Sequence, residues 1–225
     1  MGVRDTLNRL GHLDLFQLFA SLAVLLFSLT VHEAAHAWTA DRLGDPTARH
    51  MGRISLNPIV HIDPIGTLLL PLVAAVTGAP LIGWAKPVPV DTRRLRQPRR
   101  DFMLVAAAGP ASNLLLAVGA AVSLRLASGV AGGPGDTTTS VAVPIVAMAF
   151  AALQVNLLLA LFNMIPVPPL DGGNVVGGLL RGRVRDAFDS LRPYGVFILY
   201  ALMLSGGVAA IVGPPYLFLA RLLTL

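Results

Sequence analysis

The stretch that decides the fold is Thr30–Leu43, "TVHEAAHAWTADRL", which continues the apolar run "LFQLFASLAVLLFSL" of Leu15–Leu29. No Pro or Gly interrupts Leu13–Leu43, and Gly44 with Pro46 supplies the usual stop, so the stretch reads as one long helix. On that helix His32 and His36 are four residues apart and share a face, with Glu33 beside the first. Two imidazoles so placed bind one Zn²⁺, and the neighbouring carboxylate takes a proton from the water that the metal activates, the mechanics of H-E-x-x-H on a helix. Taken alone the pattern also fits a His and a Glu facing solvent at a helix end. Ionisable groups in a membrane segment are costly, which weighs towards function.

Working outward, the 225 residues are 55% hydrophobic and only 13% charged, with mean hydropathy +0.71. That apolar share exceeds the share in soluble domains and predicts an integral membrane protein. Windows approaching the ~20 apolar residues of a membrane span are Leu13–Ala40, Phe102–Ala127, Val141–Ile165 and Tyr194–Val212, with a shorter piece at Ile65–Ile82. The first is too long and too polar at its far end for a cleaved signal peptide, and is kept as mature structure. The expected fold is therefore an all-α polytopic membrane protein, about four transmembrane helices plus a re-entrant segment. One membrane-embedded domain is expected over 1–225, with its core at about 13–180 and an accessory helical region at 190–225. No cysteine is present, which excludes disulfides and thiolate sites and leaves His, Asp and Glu for any metal. The net charge of +5 lies in short Lys/Arg patches between apolar segments, a pattern of membrane topology and not of nucleic-acid binding.

A third metal ligand is sought in "NMIPVPPLDGGNV", Asn163–Val175. Asp171 follows a proline-rich turn at the end of an apolar helix, and Gly172 and Gly173 let the backbone approach whatever the carboxylate binds. A His, His, Asp set would leave the fourth tetrahedral position for water. The plainer reading of "LDGG" is a chain reversal.

Together, "HEAAH" at 32–36, "AGPASN" at 108–113 and "NMIPVPPLDGG" at 163–173 resemble the site-2 proteases, zinc-dependent intramembrane metalloproteases. The resemblance runs from about residue 20 to residue 180. It implies one zinc per chain held by His32, His36 and Asp171, with Glu33 as catalytic acid/base and Asn163 assisting at the active site. The substrate it implies is a transmembrane protein of the cell membrane, cleaved in or near its membrane-spanning segments. "SLNPIVHIDPIG" at 55–66 and "GWAKPVPV" at 83–90 look like the compact bacterial subgroup. Only Ser128–Ser140 separates the two central windows, which leaves no room there for a PDZ-type module, and no nucleotide-sensing module is expected after the core. The alternative class is a non-catalytic metal-binding or transport protein built on the same four residues. A transporter is expected to show a pseudo-symmetric repeat, and none is visible.

Topology gives a separate argument. If one zinc joins His32, His36 and Asp171, the first helix and Val141–Ile165 end on one side. Arg181, Arg183, Arg185 and Arg192 place that side in the cytoplasm. Thirteen of the 17 Lys and Arg residues then lie in inner loops, and Ile65–Ile82 has both flanks on the same side. Charge alone permits a simple span as well.

Other residues carry two readings each. "PVPV" at 87–90 borders the substrate cleft as a strand or is a plain loop. His61 is a neighbour of the metal site, a further ligand, or neither, and its part in the reaction is open. Asp63 reads as a turn former, and His12 and His50 as solvent-facing. Asn113 braces the active site or joins helices. Gly109 and Pro110 permit close approach and a kink, and Trp38 and Trp84 fit an interfacial belt.

Overall fold

In the computed structural model, residues 15–69, 73, 86–130 and 139–224 are described. They form eight α-helices among the described residues: α1 (Leu15–Arg42), α2 (Thr47–His50), α3 (Pro98–Val130), α4 (Thr139–Asn163), α5 (Asp171–Leu179), α6 (Gly182–Asp189), α7 (Gly195–Leu204) and α8 (Gly207–Thr224). Short 3-10 turns occupy Pro58–His61, Thr92–Arg94 and Arg192–Tyr194, and no strand occurs among the described residues.

The first helix stops where its sequence says it should. Gly44 takes φ 115°, a conformation that L side chains rarely adopt, and the Asp45 N–H reaches back to the Ala40 carbonyl at 2.9 Å. Asp45 is itself buried, and its Oδ2 accepts the Asp91 N–H at 2.6 Å, while the Arg96 N–H donates to the Leu43 carbonyl at 3.1 Å. Asp91 in turn carries Arg93, whose guanidinium and backbone N–H hold its carboxyl below the usual carboxylate range. These bonds fix the entrance to α3 beside the exit of α1. Pro98 opens α3 with φ already helical, and Asp101 accepts the Gln97 N–H at 2.7 Å.

From there α3 runs back along α1. His36 meets Val105 and, one turn earlier, His32 meets Asn113, so the two helices are antiparallel. Asn156 on α4 bonds to Asn113 and to Ser28, and α4 ends near Asp171, so α4 runs parallel to α1. Ala117, Ala120 and Ala121 of α3 pack on Leu153 and Leu157 of α4, with Tyr216, Leu219 and Leu223 of α8 partly covering them. Small residues on one partner let the helix backbones approach closely, the usual basis of packing where lipid offers no hydrophobic gain.

The outer surface is apolar: Leu115, Phe197 and Leu204 are each more than 70% exposed. Among the described residues, five stretches are long and apolar enough to cross a membrane: Ala20–Arg42, Pro98–Ala127, Ile145–Asn163, Gly182–Leu204 and Gly207–Thr224. The fourth reaches that length only by joining α6 to α7 through the Arg192–Tyr194 turn. The single window expected over Tyr194–Val212 is thus divided between α7 and α8. Gly206, at φ 76°, makes the break. Hydropathy does not register a turn whose residues are themselves weakly apolar.

Of Ile65–Ile82, the segment expected to be re-entrant, residues 65–69 belong to a π-helical turn at Pro64–Leu69 and nearly all the rest lies outside the described residues, as do Trp84 and His12. Its flanks are described. The Lys86 N–H donates to the His61 carbonyl at 2.9 Å, and the buried Arg53 guanidinium donates to the carbonyls of Val60, Lys86 (3.1 Å) and Pro87 (3.0 Å). A single crossing would separate such flanks by about 30 Å. Cysteines introduced at Thr47 and Thr92 should therefore be labelled from one side of the membrane and a cysteine at Thr139 from the other. Opposite labelling of the first two would make the segment a simple span.

Candidate metal centre

Three elements bring His32, His36 and Asp171 together. The histidines lie on the buried face of α1, one turn apart, and Asp171 is the first residue of α5. Asp171 is carried there by the turn after α4. Gly172 and Gly173 are needed at that point, because a Cβ at Gly172 would lie 2.3 Å from the Met164 carbonyl oxygen and one at Gly173 2.6 Å from the Pro168 nitrogen. The paired glycines thus press the start of α5 against the proline-rich turn, as their sequence position suggested.

The donor atoms converge. His32 Nε2 lies 3.1 Å from His36 Nε2 and 3.1 Å from Asp171 Oδ2, and His36 Nε2 lies 3.4 Å from that same oxygen. Two ligands each about 2.0–2.1 Å from a tetrahedral zinc are about 3.3 Å apart. The observed separations fit.

Hydrogen bonding settles which nitrogens are available. His32 Nδ1 is 2.6 Å from Asn113 Oδ1, and His36 Nδ1 is 2.7 Å from the Val105 carbonyl oxygen. Both partners are acceptors, so each Nδ1 carries the proton and each neutral ring presents an Nε2 lone pair. Asp171 Oδ2 is buried, and its contacts with the rings lack hydrogen-bond geometry, so it has no hydrogen-bond partner among the described residues. Two lone pairs and a carboxylate oxygen facing one another at this range repel unless a cation lies between them. The group His32, His36 and Asp171 fits a divalent metal on its own chemistry.

Gly109 of "AGPASN" explains how close α3 comes. A Cβ there would lie 2.4 Å from His36 Nε2 and 2.6 Å from His32 Nε2. Asn113, four residues on, is fully buried and spends its amide on bracing the site: Oδ1 on His32, Nδ2 on Asn156 Oδ1 at 2.9 Å. Asn156 completes the chain through Ser28 Oγ at 2.9 Å and the Ala152 carbonyl at 2.8 Å. Of the two roles open to Asn113, the structure combines both. Asn156 and Ser28 were not singled out from the sequence. An amide in the middle of "LQVNLLL" was the available signal, since a polar side chain in such a helix needs a partner. The Val105 carbonyl had no signal at all. Asn113→Ala should lower zinc affinity on the order of 10–100-fold, as removal of an orienting partner does, with the helical signal in detergent unchanged. Unaltered affinity would reduce Asn113 to a packing residue.

Glu33 is buried beside the group, and the Val88 N–H donates to its Oε2 at 3.1 Å. This brings the "PVPV" stretch to the site, with no strand assigned to it. Asn163, at the end of α4, donates from Nδ2 to its own helix at the Leu159 carbonyl, 3.0 Å away. His61 is buried with Nε2 2.9 Å from the Ser55 carbonyl oxygen, and it does not join the metal group. Asp63 Oδ1 accepts the N–H groups of Ile65 (3.0 Å) and Gly66 (2.8 Å), a turn former as expected. His50 is exposed. Trp38 is half-exposed, under the Arg42 guanidinium at 4.9 Å.

The chain is similar to known proteins along most of its length. The model of peptidase family M50 matches residues 127–206, the part that holds Asp171. The chain is 38% identical to "Putative zinc metalloprotease YwhC" of Bacillus subtilis, over 80% of its own length and 78% of that protein. It is 32% identical to "Putative zinc metalloprotease Rip2" of Mycolicibacterium smegmatis, over 89% of its own length and 72% of that protein. No solved structure matches it. The relatives, the family match and a donor set suited to zinc agree with the resemblance of its three motifs. The chain belongs to peptidase family M50, the site-2 proteases, and is a membrane zinc metalloprotease.

Proposed function

We propose that the protein is an intramembrane endopeptidase that hydrolyses peptide bonds in or near transmembrane segments of other membrane proteins, with His32, His36 and Asp171 as the zinc ligands and Glu33 as the proton-transferring group. The observation that carries the reading is the convergence of three candidate ligand atoms, 3.1–3.4 Å apart, next to a carboxylate and inside a bundle of apolar helices.

Zinc, when bound, supplies Lewis-acid activation of water and of the scissile carbonyl. The remaining work falls to the chain. Asn113 and the Val105 carbonyl hold the two imidazoles in one tautomer and one orientation. The Val88 N–H occupies Glu33 Oε2, which leaves Oε1 to take the proton from water and to return it to the leaving amine. The surrounding helices keep bulk solvent from the site, which strengthens each of these interactions.

Asn163 joins this reading as a donor to the developing oxyanion. Its Nδ2 has two hydrogens, and the Leu159 carbonyl takes one of them. Asn163→Ala should keep zinc and cleave on the order of a hundredfold more slowly. Turnover unchanged in that variant would leave Asn163 as a helix-end residue only.

The whole chain, 1–225, acts in this reading as one domain in the plasma membrane. The site faces the cytoplasmic side, where the Arg residues that follow Asp171 and those around Arg93–Arg100 gather. The direct test uses purified chain: zinc by metal analysis, then cleavage of a model transmembrane peptide with and without chelator. The reading requires about one zinc per chain and cleavage that chelator stops and zinc restores. Bound zinc without any cleavage of membrane-embedded peptides would point to substrates outside the membrane.

A further inference from the structure

A cavity lies further along α5 from Asp171. It has a volume of about 360 Å³ and is lined by Arg99, Arg185 and Arg192, with Thr92, Asn174 and Phe102. Arg99 of α3, Arg185 of α6 and Arg192 of the turn before α7 line one space of that size, and Asp189 pairs with the last two. Asp189 accepts from Arg192 Nε at 2.8 Å and from Arg185 Nε at 3.2 Å, so both pairs use only the inner nitrogens.

The outer nitrogens are where the arrangement is incomplete. Arg99 Nε donates to the Gly178 carbonyl at 2.9 Å, while its Nη2 is buried with no hydrogen-bond partner among the described residues. That nitrogen is closed off from the cavity; the complement of an oxyanion is offered instead by the guanidinium N–H groups of the three lining arginines that no carboxylate takes. Backbone shape keeps the space open. Gly177 and Gly178 form part of its wall, and a Cβ at Gly177 would stand 3.2 Å from Arg192 Nη2. Arg192 Nη1 donates to Asn174 Oδ1 at 3.1 Å, which leaves the Asn174 amide N–H groups as further donors.

We propose that this cavity binds a phosphate group, with Arg99, Arg185 and Arg192 as the anion-holding residues. Its place in the fold favours phosphate carried by a lipid. Arg192 stands three residues before α7, the apolar "GVFILYALML" helix with Phe197 and Leu204 largely exposed, and Phe102 gives the cavity an apolar wall. Basic pockets at the headgroup level between membrane helices hold anionic lipids in this way. The cavity also touches the catalytic side of the molecule, because Asn174 lies on α5, three residues from Asp171. An occupant that draws on Arg192 and Asn174 bears on the helix that carries the third zinc ligand. The proposal does not depend on proteolysis.

The test uses the full chain in nanodiscs of phosphatidylcholine alone or with phosphatidylglycerol, with retained lipid counted by native mass spectrometry, and inorganic phosphate titrated separately in detergent. Phosphatidylglycerol should be retained over phosphatidylcholine. The Arg99→Gln/Arg185→Gln pair should weaken that retention roughly thirtyfold, while Arg181→Gln/Arg183→Gln, which removes equal charge at the start of α6, should change it by less than about threefold. Zinc content equal to the unaltered chain reports that the variants are folded. If Arg99→Gln does not fold, Arg185→Gln alone carries the comparison. Inorganic phosphate bound with the same variant dependence, and no lipid preference, would assign the cavity to free phosphate and keep the chemistry. Equal loss in the two pairs would reduce the effect to general surface charge and overturn the site, as would no binding of either probe.

Discussion

Glu33→Gln is expected to hold zinc as well as the unaltered chain and to lose about a thousandfold or more in cleavage rate. The metal is unaffected because the Glu33 carboxylate is outside the group formed by His32, His36 and Asp171. Glutamine keeps the shape of the side chain, and its amide oxygen can still accept the Val88 N–H that now meets Oε2. What disappears is an oxygen that can accept a proton from water and give it up again. The measurement is zinc stoichiometry and peptide cleavage on one preparation. Zinc retained together with full cleavage would remove Glu33 from the mechanism, whereas zinc lost would make it a determinant of the site's shape.

Gly109→Ala should be as damaging to the metal as removal of a ligand. His32→Ala, His36→Ala and Asp171→Ala each delete one of three donors and should abolish stoichiometric zinc. Gly109→Ala deletes none, yet its added carbon would fall 2.4 Å from His36 Nε2 and 2.6 Å from His32 Nε2, inside any real non-bonded contact. Either the rings turn away or α3 backs off from α1. Turning the rings breaks the bonds of His32 to Asn113 and of His36 to the Val105 carbonyl that set their tautomers. A fall in zinc affinity of more than about a hundredfold is expected, with the helical signal kept because the helices themselves are unaltered. Gly119→Ala is the matched control, since a Cβ there meets nothing within 4 Å. Equal zinc affinity in the Gly109 and Gly119 variants would show that the rings are not held as closely as the geometry requires.

Much of this was legible in the chain itself because the bilayer leaves a polypeptide so few options. Backbone polar groups in lipid must be satisfied within helices, so apolar length alone located α1, α3 and α4 to within a few residues at most ends. Spacing did the same for part of the site. An i, i+4 pair lies on one helix face whatever surrounds it, and His32 and His36 needed nothing further to become neighbours. The glycines after Asp171 and the glycine of "AGPASN" likewise announced close approach.

What sequence could not supply was everything that depends on which helix meets which, and at what height. "LDGG" is a turn as readily as a ligand, and only the packing of the turn after α4 against α1 brings Asp171 Oδ2 to 3.1 Å from His32. The choice between packing and bracing for Asn113 has the same character: the amide reaches His32 Nδ1 because α3 runs antiparallel to α1 at that register. Val88 and the Val105 carbonyl act through backbone atoms, which every residue has, so no residue type marks them. The division of Tyr194–Val212 into two helices rests on the φ of Gly206, to which hydropathy is blind. Local periodicity is written in the chain one residue at a time, whereas a site shared by α1, α3 and α5 exists only once long-range packing has fixed their relative height.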